Sequence, residues 1–281
     1  MSAADAAGLE AAPDRLLIAL DVDGTLLHED GSSSDAVKDA VAAAIAAGHE
    51  VTLATGRSWE TAGELLELFG MAPEYVVCSN GAVILQRSGD GYRRAIVETF
   101  DARPVLEMVR GYLPEGGYMV EKADGKRLYT AGMDATDWAI GQAEAVPFDE
   151  LGREPVSRVV VVSPSHDADE FLGIVERMGL HKVTYAVGWA AWLDIAPEGV
   201  SKGSALARVI DRLGMPKDSL LVVGDGRNDV EMFQLAREYG GRAVAMGQAP
   251  DEVKAAAGEV TESVDDDGLA SVLLSVSTAV R

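Results

Sequence analysis

Four short stretches of the sequence carry side chains that packing alone does not explain. The apolar run Leu16 to Leu20 ends in Asp21-Val22-Asp23-Gly24-Thr25, so a segment fit for burial delivers two carboxylates to its end. An exposed turn accounts for one aspartate more readily than for two. A carboxylate in such a place can act as a nucleophile and a second carboxyl as a proton donor, and Gly24 lets the backbone approach a ligand closely. Thr55-Gly56-Arg57 closes another apolar run. A hydroxyl beside a glycine amide suits an oxyanion, although a Thr-Gly turn with a surface arginine would look the same. Ser201-Lys202-Gly203 opens a helix. The macrodipole disfavours lysine there unless an anion compensates it, although a surface lysine is the commoner explanation of any single one. Gly224-Asp225-Gly226-Arg227-Asn228-Asp229 follows the run Leu220 to Val223. Its Gly-x-Gly start resembles half of a dinucleotide fingerprint, but acids at the pyrophosphate position would repel that ligand. Two further carboxylates suit a hard divalent cation instead, and Mg²⁺ favours oxygen ligands, keeping several waters and few carboxylates. The sequence has no Walker loop, no His/Cys metal cluster and no G-x-S-x-G elbow.

Convergence of these groups depends on the elements that carry them. Strand and helix signals alternate from Leu16. Ser34 is placed to cap a helix with an apolar stripe at Val37, Val41 and Ile45, and Gly48 stands at its C′ position. Strand signals follow over 50–56 and 75–84, with a helix between them closed by Gly70. The pattern resumes late: a helix over 201–214 with Leu206, Val209, Ile210 and Leu213 on one face, then a strand, a helix, a strand, and a final helix from Gly268 to about Ala279. Strands rich in Val and Ile that alternate with helices indicate a parallel sheet covered on both faces. Such sheets bind ligands at the carboxyl ends of their strands, where all four stretches fall. From about Gln86 to Val187 several strands alternate apolar with polar residues, the mark of a half-exposed antiparallel sheet. The predicted fold class is therefore α/β, a Rossmann-like parallel-sheet core over 15–86 and 188–281, with an α+β domain inserted over 87–187. Residues 1–14 form a loose overhang.

Composition narrows the partners. A chain of 281 residues suits one or two domains. Twenty-four Lys and Arg against 46 Asp and Glu give a net charge of −22, which argues against nucleic acid or an anionic membrane, since both need concentrated basic residues. The single cysteine, Cys78, rules out an internal disulfide and indicates a reducing compartment. Residues 1–14 lack the basic and apolar regions of a signal peptide, and no apolar run reaches the ~20 residues that span a bilayer. A cytoplasmic protein is expected.

Together the stretches offer four acids, a hydroxyl, a lysine and glycine-bearing loops at one rim of one sheet. Four carboxylates and a phosphate converge only around cations, and Lys202 with one Mg²⁺ would supply them. That set is what phosphoryl transfer needs, since its catalysis is mostly positioning and charge neutralisation. Here the resemblance becomes specific. Asp21–Leu26 (DVDGTL), Ala54–Arg57 (ATGR), Ser201–Gly203 (SKG) and Gly224–Asp229 (GDGRND) resemble the four ordered motifs of the haloacid dehalogenase superfamily, from about Leu16 onward. The insertion after Ser79–Ala82 resembles the α+β cap of its Cof-type subgroup. The resemblance implies Asp21 as nucleophile, forming an aspartyl-phosphate. It implies Asp23 as the acid that protonates the leaving alcohol and then deprotonates water, with a pKa nearer neutrality than a free Asp. Thr55 and the Gly56 amide would hold phosphate oxygens, and Lys202 would offset charge. Asp225, the Asp21 carboxylate and the Asp23 carbonyl would bind Mg²⁺, supported by Asp229 through water. Asn228 would reach the phosphate, with Gly24 and Asn80 nearby; Arg227 occupies a variable slot and receives no role.

Within that resemblance, an acid at position 23 implies hydrolysis of a phosphomonoester, the expected substrate being a small phosphorylated metabolite such as a sugar phosphate. A phosphomutase of the same superfamily, or a non-catalytic phosphometabolite sensor, are the alternatives. His28, His49, His166 and His181 have no ligand spacing. Cys78 reads as a buried small hydrophobe. Trp189 and Trp192 suit packing at the return from the cap. Lys122, Lys126 and Arg127 are candidates for substrate contact among which the sequence does not choose, and oligomeric state is equally unreadable.

Overall fold

Every side chain of Leu17–Leu20 is fully buried, because this strand (β1) has a parallel neighbour on each side and helices on both faces. The computed structural model describes residues 15–131, 133, 142–180, 183–187 and 191–277; residues 1–14, His181 and Trp189 lie outside them. After β1 come α1 (Asp35–Ala46), β2 (Glu50–Leu53), α2 (Trp59–Leu68) and β3 (Tyr75–Cys78). The chain then forms the hairpin β4 (Val83–Ser88) and β5 (Gly91–Val97). Next are α3 (Arg103–Tyr112), β6 (Gly117–Lys122), β7 (Arg127–Tyr129), β8 (Ala143–Ala145) and the single turn α4 (Phe148–Leu151). They lead to β9 (Val156–Val162), α5 (Ala168–Met178), β10 (Val183–Val187) and β11 (Trp192–Pro197). The last part holds α6 (Lys202–Leu213), β12 (Leu220–Gly224), α7 (Val230–Glu238) and β13 (Arg242–Ala245). It ends with α8 (Asp251–Ala257), β14 (Glu259–Val260) and α9 (Gly268–Ser277).

The parallel sheet runs β14-β13-β12-β1-β2. Successive residues of a strand face opposite sides, and β1 divides accordingly. Ile18 and Leu20 join a cluster with Val41, Leu65 and Leu273 of α1, α2 and α9, whereas Leu17 and Ala19 join Leu206, Val209 and Phe233 of α6 and α7. Ser34 caps α1 as expected, accepting a bond from the Val37 amide at 3.1 Å, and Ser201 and Ser204 add a reciprocal capping box on α6.

Register decides what meets at the rim. Leu20 lies opposite both Leu53 and Val223, so β1, β2 and β12 end level with one another. Beyond them the Ala54–Val77 bridge and the Thr55 amide, which donates to the Val77 carbonyl at 3.0 Å, bring β3 alongside. Asp21, Thr55, Ser79 and Asp225 therefore emerge along one edge.

A second sheet, β10-β11-β9-β6-β7-β8, is antiparallel except for the β7–β8 pair. One face packs Val120, Val159, Val161 and Leu193 against α3 and α5. Alternate residues on the other face, Glu121, Arg158 and Asp194, bond to the parallel-sheet unit. The β4–β5 hairpin pairs with β3 and so runs on through position 86/87, while β11 pairs with β9 and β10 beyond position 187/188.

Candidate active site

The loop after β1 is folded tightly by its backbone. The Val22 carbonyl accepts from the Leu26 and Leu27 amides, and the Gly24 amide donates to the Leu27 carbonyl, all at 2.9 Å. Gly24 has φ +77°, and a Cβ there would lie 2.2 Å from Asp225 Oδ2, so both conformation and contact demand glycine. The Asp21 amide donates to the Val223 carbonyl at 2.9 Å, which sends its carboxylate into the buried centre of the rim. The Asp23 side chain is 64% exposed and faces Arg57, whose Nε lies 3.1–3.2 Å from both carboxylate oxygens.

Lys202 is the only lysine the described structure buries completely. Its Nζ lies 2.6 Å from Asp21 Oδ1 and 2.6 Å from Asp229 Oδ1. It can stand at the first turn of α6 because these two anions offset the helix dipole that disfavours it. Gly203 lets that turn press on the start of α7, since a Cβ there would meet the Glu231 carbonyl at 2.6 Å. Asp229 accepts at Oδ2 from the Asp225 and Gly226 amides at 2.9 and 2.8 Å, so both of its oxygens are engaged. Asp21, Asp225 and Asp229 each present a carboxylate oxygen within 4.8 Å of the others, the one such metal-capable cluster among the described residues.

Electrostatics follow from this crowding. Burial, and next the charge on Asp229, raises the Asp21 pKa well above its ordinary value despite Lys202. The same two causes push Asp225 up to about 7. Burial alone would lower Lys202, but the Asp21 and Asp229 carboxylates more than reverse it, and the ammonium is held charged. Three carboxylates against one ammonium formally leave two negative charges among oxygen donors, a set that fits a hard divalent cation.

The loops after β2 and β3 form the other wall. Thr55 is fully buried, and its Oγ1 accepts from the Arg57 amide at 3.0 Å. The Asn80 amide donates to the Thr55 carbonyl and the Ser79 amide to the Arg57 carbonyl, at 3.0 and 2.9 Å. Ser79 and Asn80 both take left-handed backbone conformations, φ 49° and 51°. Asn80 then bridges: its Oδ1 accepts from Asn228 Nδ2 at 3.0 Å, and its Nδ2 donates to Asp194 at 2.8 Å. Gly56 abuts the same side chain, since a Cβ there would sit 3.2 Å from the Asn80 amide.

Thus the structure gathers Asp21, Asp225, Asp229 and Lys202 at the centre, with Gly24 beneath Asp225. Thr55, Gly56, Asn80 and Asn228 lie on one side and Asp23 on the exposed lip. Sequence reasoning missed Gln248, whose Nε2 donates to the Gly24 carbonyl and to Asp225 Oδ2, the latter at 3.3 Å, while its Oε1 accepts from the Val264 amide at 3.0 Å. A lone glutamine after β13 carries no motif to find it by. It also missed Arg57 as the partner of Asp23, and Arg158 and Asp194 from the second sheet.

Other candidates fall elsewhere. His28 meets Asp265, His49 accepts from the Leu16 amide and His166 meets Ser163, all away from the carboxylates. Cys78 is fully buried, which raises its thiol pKa and leaves it unreactive. Trp192 packs against the Met119, Met133 and Val160 cluster. Lys122 pairs with Glu154 and Lys126 with Glu144, whereas Arg127 is buried and donates to Ser58 and Glu60 at 2.6 Å.

Comparison with known proteins agrees with this geometry. The haloacid dehalogenase-like hydrolase family matches residues 18–273. The phosphatase YwpJ of Bacillus subtilis is 26% identical over 285 residues, covering 92% of this chain and 98% of that protein. The 5-amino-6-(5-phospho-D-ribitylamino)uracil phosphatase YwtE of the same organism is 26% identical over 282 residues, covering 90% and 95%. Among solved structures, the subclass IIB sugar phosphatase BT4131 superposes with a TM-score of 0.76 at 20% identity, covering 92% of this chain and 98% of that one. TM0651 from Thermotoga maritima gives 0.73 at 21% identity, covering 95% and 99%. With its four motifs on one rim and its separate antiparallel sheet, the chain belongs to the haloacid dehalogenase-like hydrolases, in the Cof-type branch that carries an α+β cap.

Proposed function

We propose that the protein is a Mg²⁺-dependent phosphomonoester hydrolase that works through an aspartyl-phosphate on Asp21. The observation that carries this reading is Lys202, fully buried and bonded to both Asp21 and Asp229 beside the Thr55 loop. Asp21 forms a bond to phosphorus as the bond to the leaving oxygen breaks, and Asp23 gives that oxygen its proton. Asp23 then takes a proton from water, whose oxygen attacks the acyl-phosphate, releasing inorganic phosphate and restoring Asp21. Thr55 and the Gly56 amide receive the phosphate oxygens together with Asn228, and Lys202 offsets their charge. Asp21, Asp225 and the Asp23 carbonyl would hold Mg²⁺, which when bound supplies positive charge against the phosphoryl oxygens. Asp229 supports from behind, because its oxygens are already committed to Lys202 and two amides.

The substrate we propose is a small phosphorylated metabolite with a polyol or sugar body, in keeping with the names of YwtE and BT4131. The cap, taken as 99–197 from the strand pairing, closes over the phosphate and selects the body. A reducing, cytoplasmic setting is part of the proposal, supported by the single cysteine; no described helix is long and apolar enough to cross a membrane. The test is phosphate release from p-nitrophenyl phosphate and a panel of sugar phosphates. We expect turnover with Mg²⁺ that a chelator abolishes, and no chelator-sensitive turnover on any of them would overturn the reading.

A further inference from the structure

On the face of the cap sheet that meets the parallel sheet, two buried charges take no part in the chemistry assigned above. Arg158 of β9 and Asp194 of β11 are 3% and 6% exposed. They face each other loosely, with Nε 3.5 Å from Asp194 Oδ1 and without a hydrogen bond on Nε. A pair serving stability alone would satisfy itself in so dry a place. These two direct their hydrogen bonds across the domain junction instead. Arg158 Nη1 donates to the Gly56 carbonyl at 2.6 Å, and Asp194 Oδ2 accepts from Asn80 Nδ2 at 2.8 Å.

Each contact lands on a loop of the phosphate wall. The Gly56 carbonyl belongs to the same peptide as the Arg57 amide, which bonds Thr55 Oγ1 at 3.0 Å, so Arg158 fixes the plane that carries this bond. Asn80, held by Asp194, turns its carbonyl oxygen to Asn228 Nδ2 at 3.0 Å. The left-handed backbone at Ser79 and Asn80 is a costly conformation for residues other than glycine and persists only where surroundings hold it. Asp194 is one of those surroundings.

We propose that Arg158 and Asp194 are positioning residues of the cap: they orient Gly56 and, through Asn80, Asn228, so that the phosphate wall is complete only when the cap is seated. Selection of substrate by the cap and assembly of the phosphate site are then one event. The inference rests on the phosphatase reading for its consequence in turnover, but its structural content is a coupling between cap and phosphate loops.

The test is a pair of double-mutant cycles on the full chain with Mg²⁺, reading kcat and KM on p-nitrophenyl phosphate and the Kd of inorganic phosphate by calorimetry. We expect Asp194→Ala to weaken phosphate binding and to lower kcat/KM by about tenfold, the scale on which supporting partners act. Asn80→Gly, which suits the left-handed backbone and deletes the relay, should do the same without loss of stability. In an Asn80→Gly or Asn228→Ala background, Asp194→Ala should have less than about a twofold further effect, because linked groups are not additive. Asp194→Asn, which keeps an acceptor for Asn80, should recover most of the affinity. An Asp194→Ala protein that melts lower yet binds phosphate normally when folded would overturn the proposal, as would effects that multiply across the cycles. Should phosphate binding show the coupling while wild-type protein has no chelator-sensitive turnover, the hydrolase reading fails and the coupling stands. Chelator-sensitive turnover with multiplying effects leaves the hydrolase reading and removes only the coupling.

Discussion

A buried ammonium persists only where anions meet it, and Lys202 meets two while a third carboxylate, Asp225, stands beside them. That local excess of acid makes the metal-free protein sensitive to pH. Asp225 has an ordinary pKa of 3.8 and a folded value of about 7, and Asp21 is shifted the same way. Over that window the folded chain binds more protons than the unfolded chain, so stability falls as pH rises. We expect the melting temperature of chelator-treated protein to drop between pH 3.8 and about 7, measured by calorimetry. Because cation binding requires ionised carboxylates, added Mg²⁺ should raise the melting temperature more at about pH 8 than at about pH 5. A Mg²⁺ effect that is larger at the acid end would contradict the metal site. These residues were legible because their chemistry was out of place: two acids after an apolar strand, and a lysine at a helix start. Gln248, Arg158 and Asp194 were not, since nothing in their immediate neighbours departs from an ordinary loop or half-exposed strand, and only the tertiary fold shows what they touch.

At the scale of elements, the site depends on strands that end level and on glycines where loops touch. Gly24 is the sharpest case, with φ +77° and Asp225 Oδ2 2.2 Å from where a Cβ would be. Gly24→Ala should displace Asp225, weakening the Mg²⁺ dependence of turnover by about tenfold or more while the parallel sheet still forms. An alanine variant with unchanged Mg²⁺ response would mean that Asp225 does not depend on this contact. Most elements could be read locally: Ser34 caps where its side chain suggests, and Gly48 and Gly214 close helices in positive φ. Strand β11 was harder. Trp192–Pro197 alternates sides like its neighbours, with Leu193 and Ile195 in the cap core and Asp194 across the junction, but its sequence runs straight into the Ser201–Lys202 motif. Its membership of the cap sheet is fixed by pairing with β9, a contact between distant segments that no local pattern reveals.

At the scale of the whole molecule, buried charged side chains bridge the cap sheet and the rest of the chain, beside a small apolar cluster of Ala82, Ala196 and Val200. Glu121 of the cap is fully buried against Arg94 of the β4–β5 hairpin, and Arg127 reaches back to Ser58 and Glu60. Polar junctions of this kind suit domains that part and re-form. Truncating Glu121 removes the buried acceptor of the Ser79 hydroxyl and leaves Arg94 with Glu60 alone, at 3.4 Å. We expect Glu121→Ala to cost on the order of 3 kcal/mol in denaturant unfolding, and a loss well under 1 kcal/mol would show that the junction is wet and loosely held.

The claim on which the rest stands is covalent transfer to Asp21, and rapid acid quench of a Mg²⁺ reaction with peptide-mapped mass spectrometry tests it most directly. We expect a phosphoryl adduct on Asp21 during turnover of p-nitrophenyl phosphate. Asp21→Asn, which keeps the volume and removes the nucleophile, should show no adduct and lose turnover by at least about 10³-fold. An enzyme that hydrolyses the ester with no adduct, or with the adduct on another residue, would contradict the mechanism.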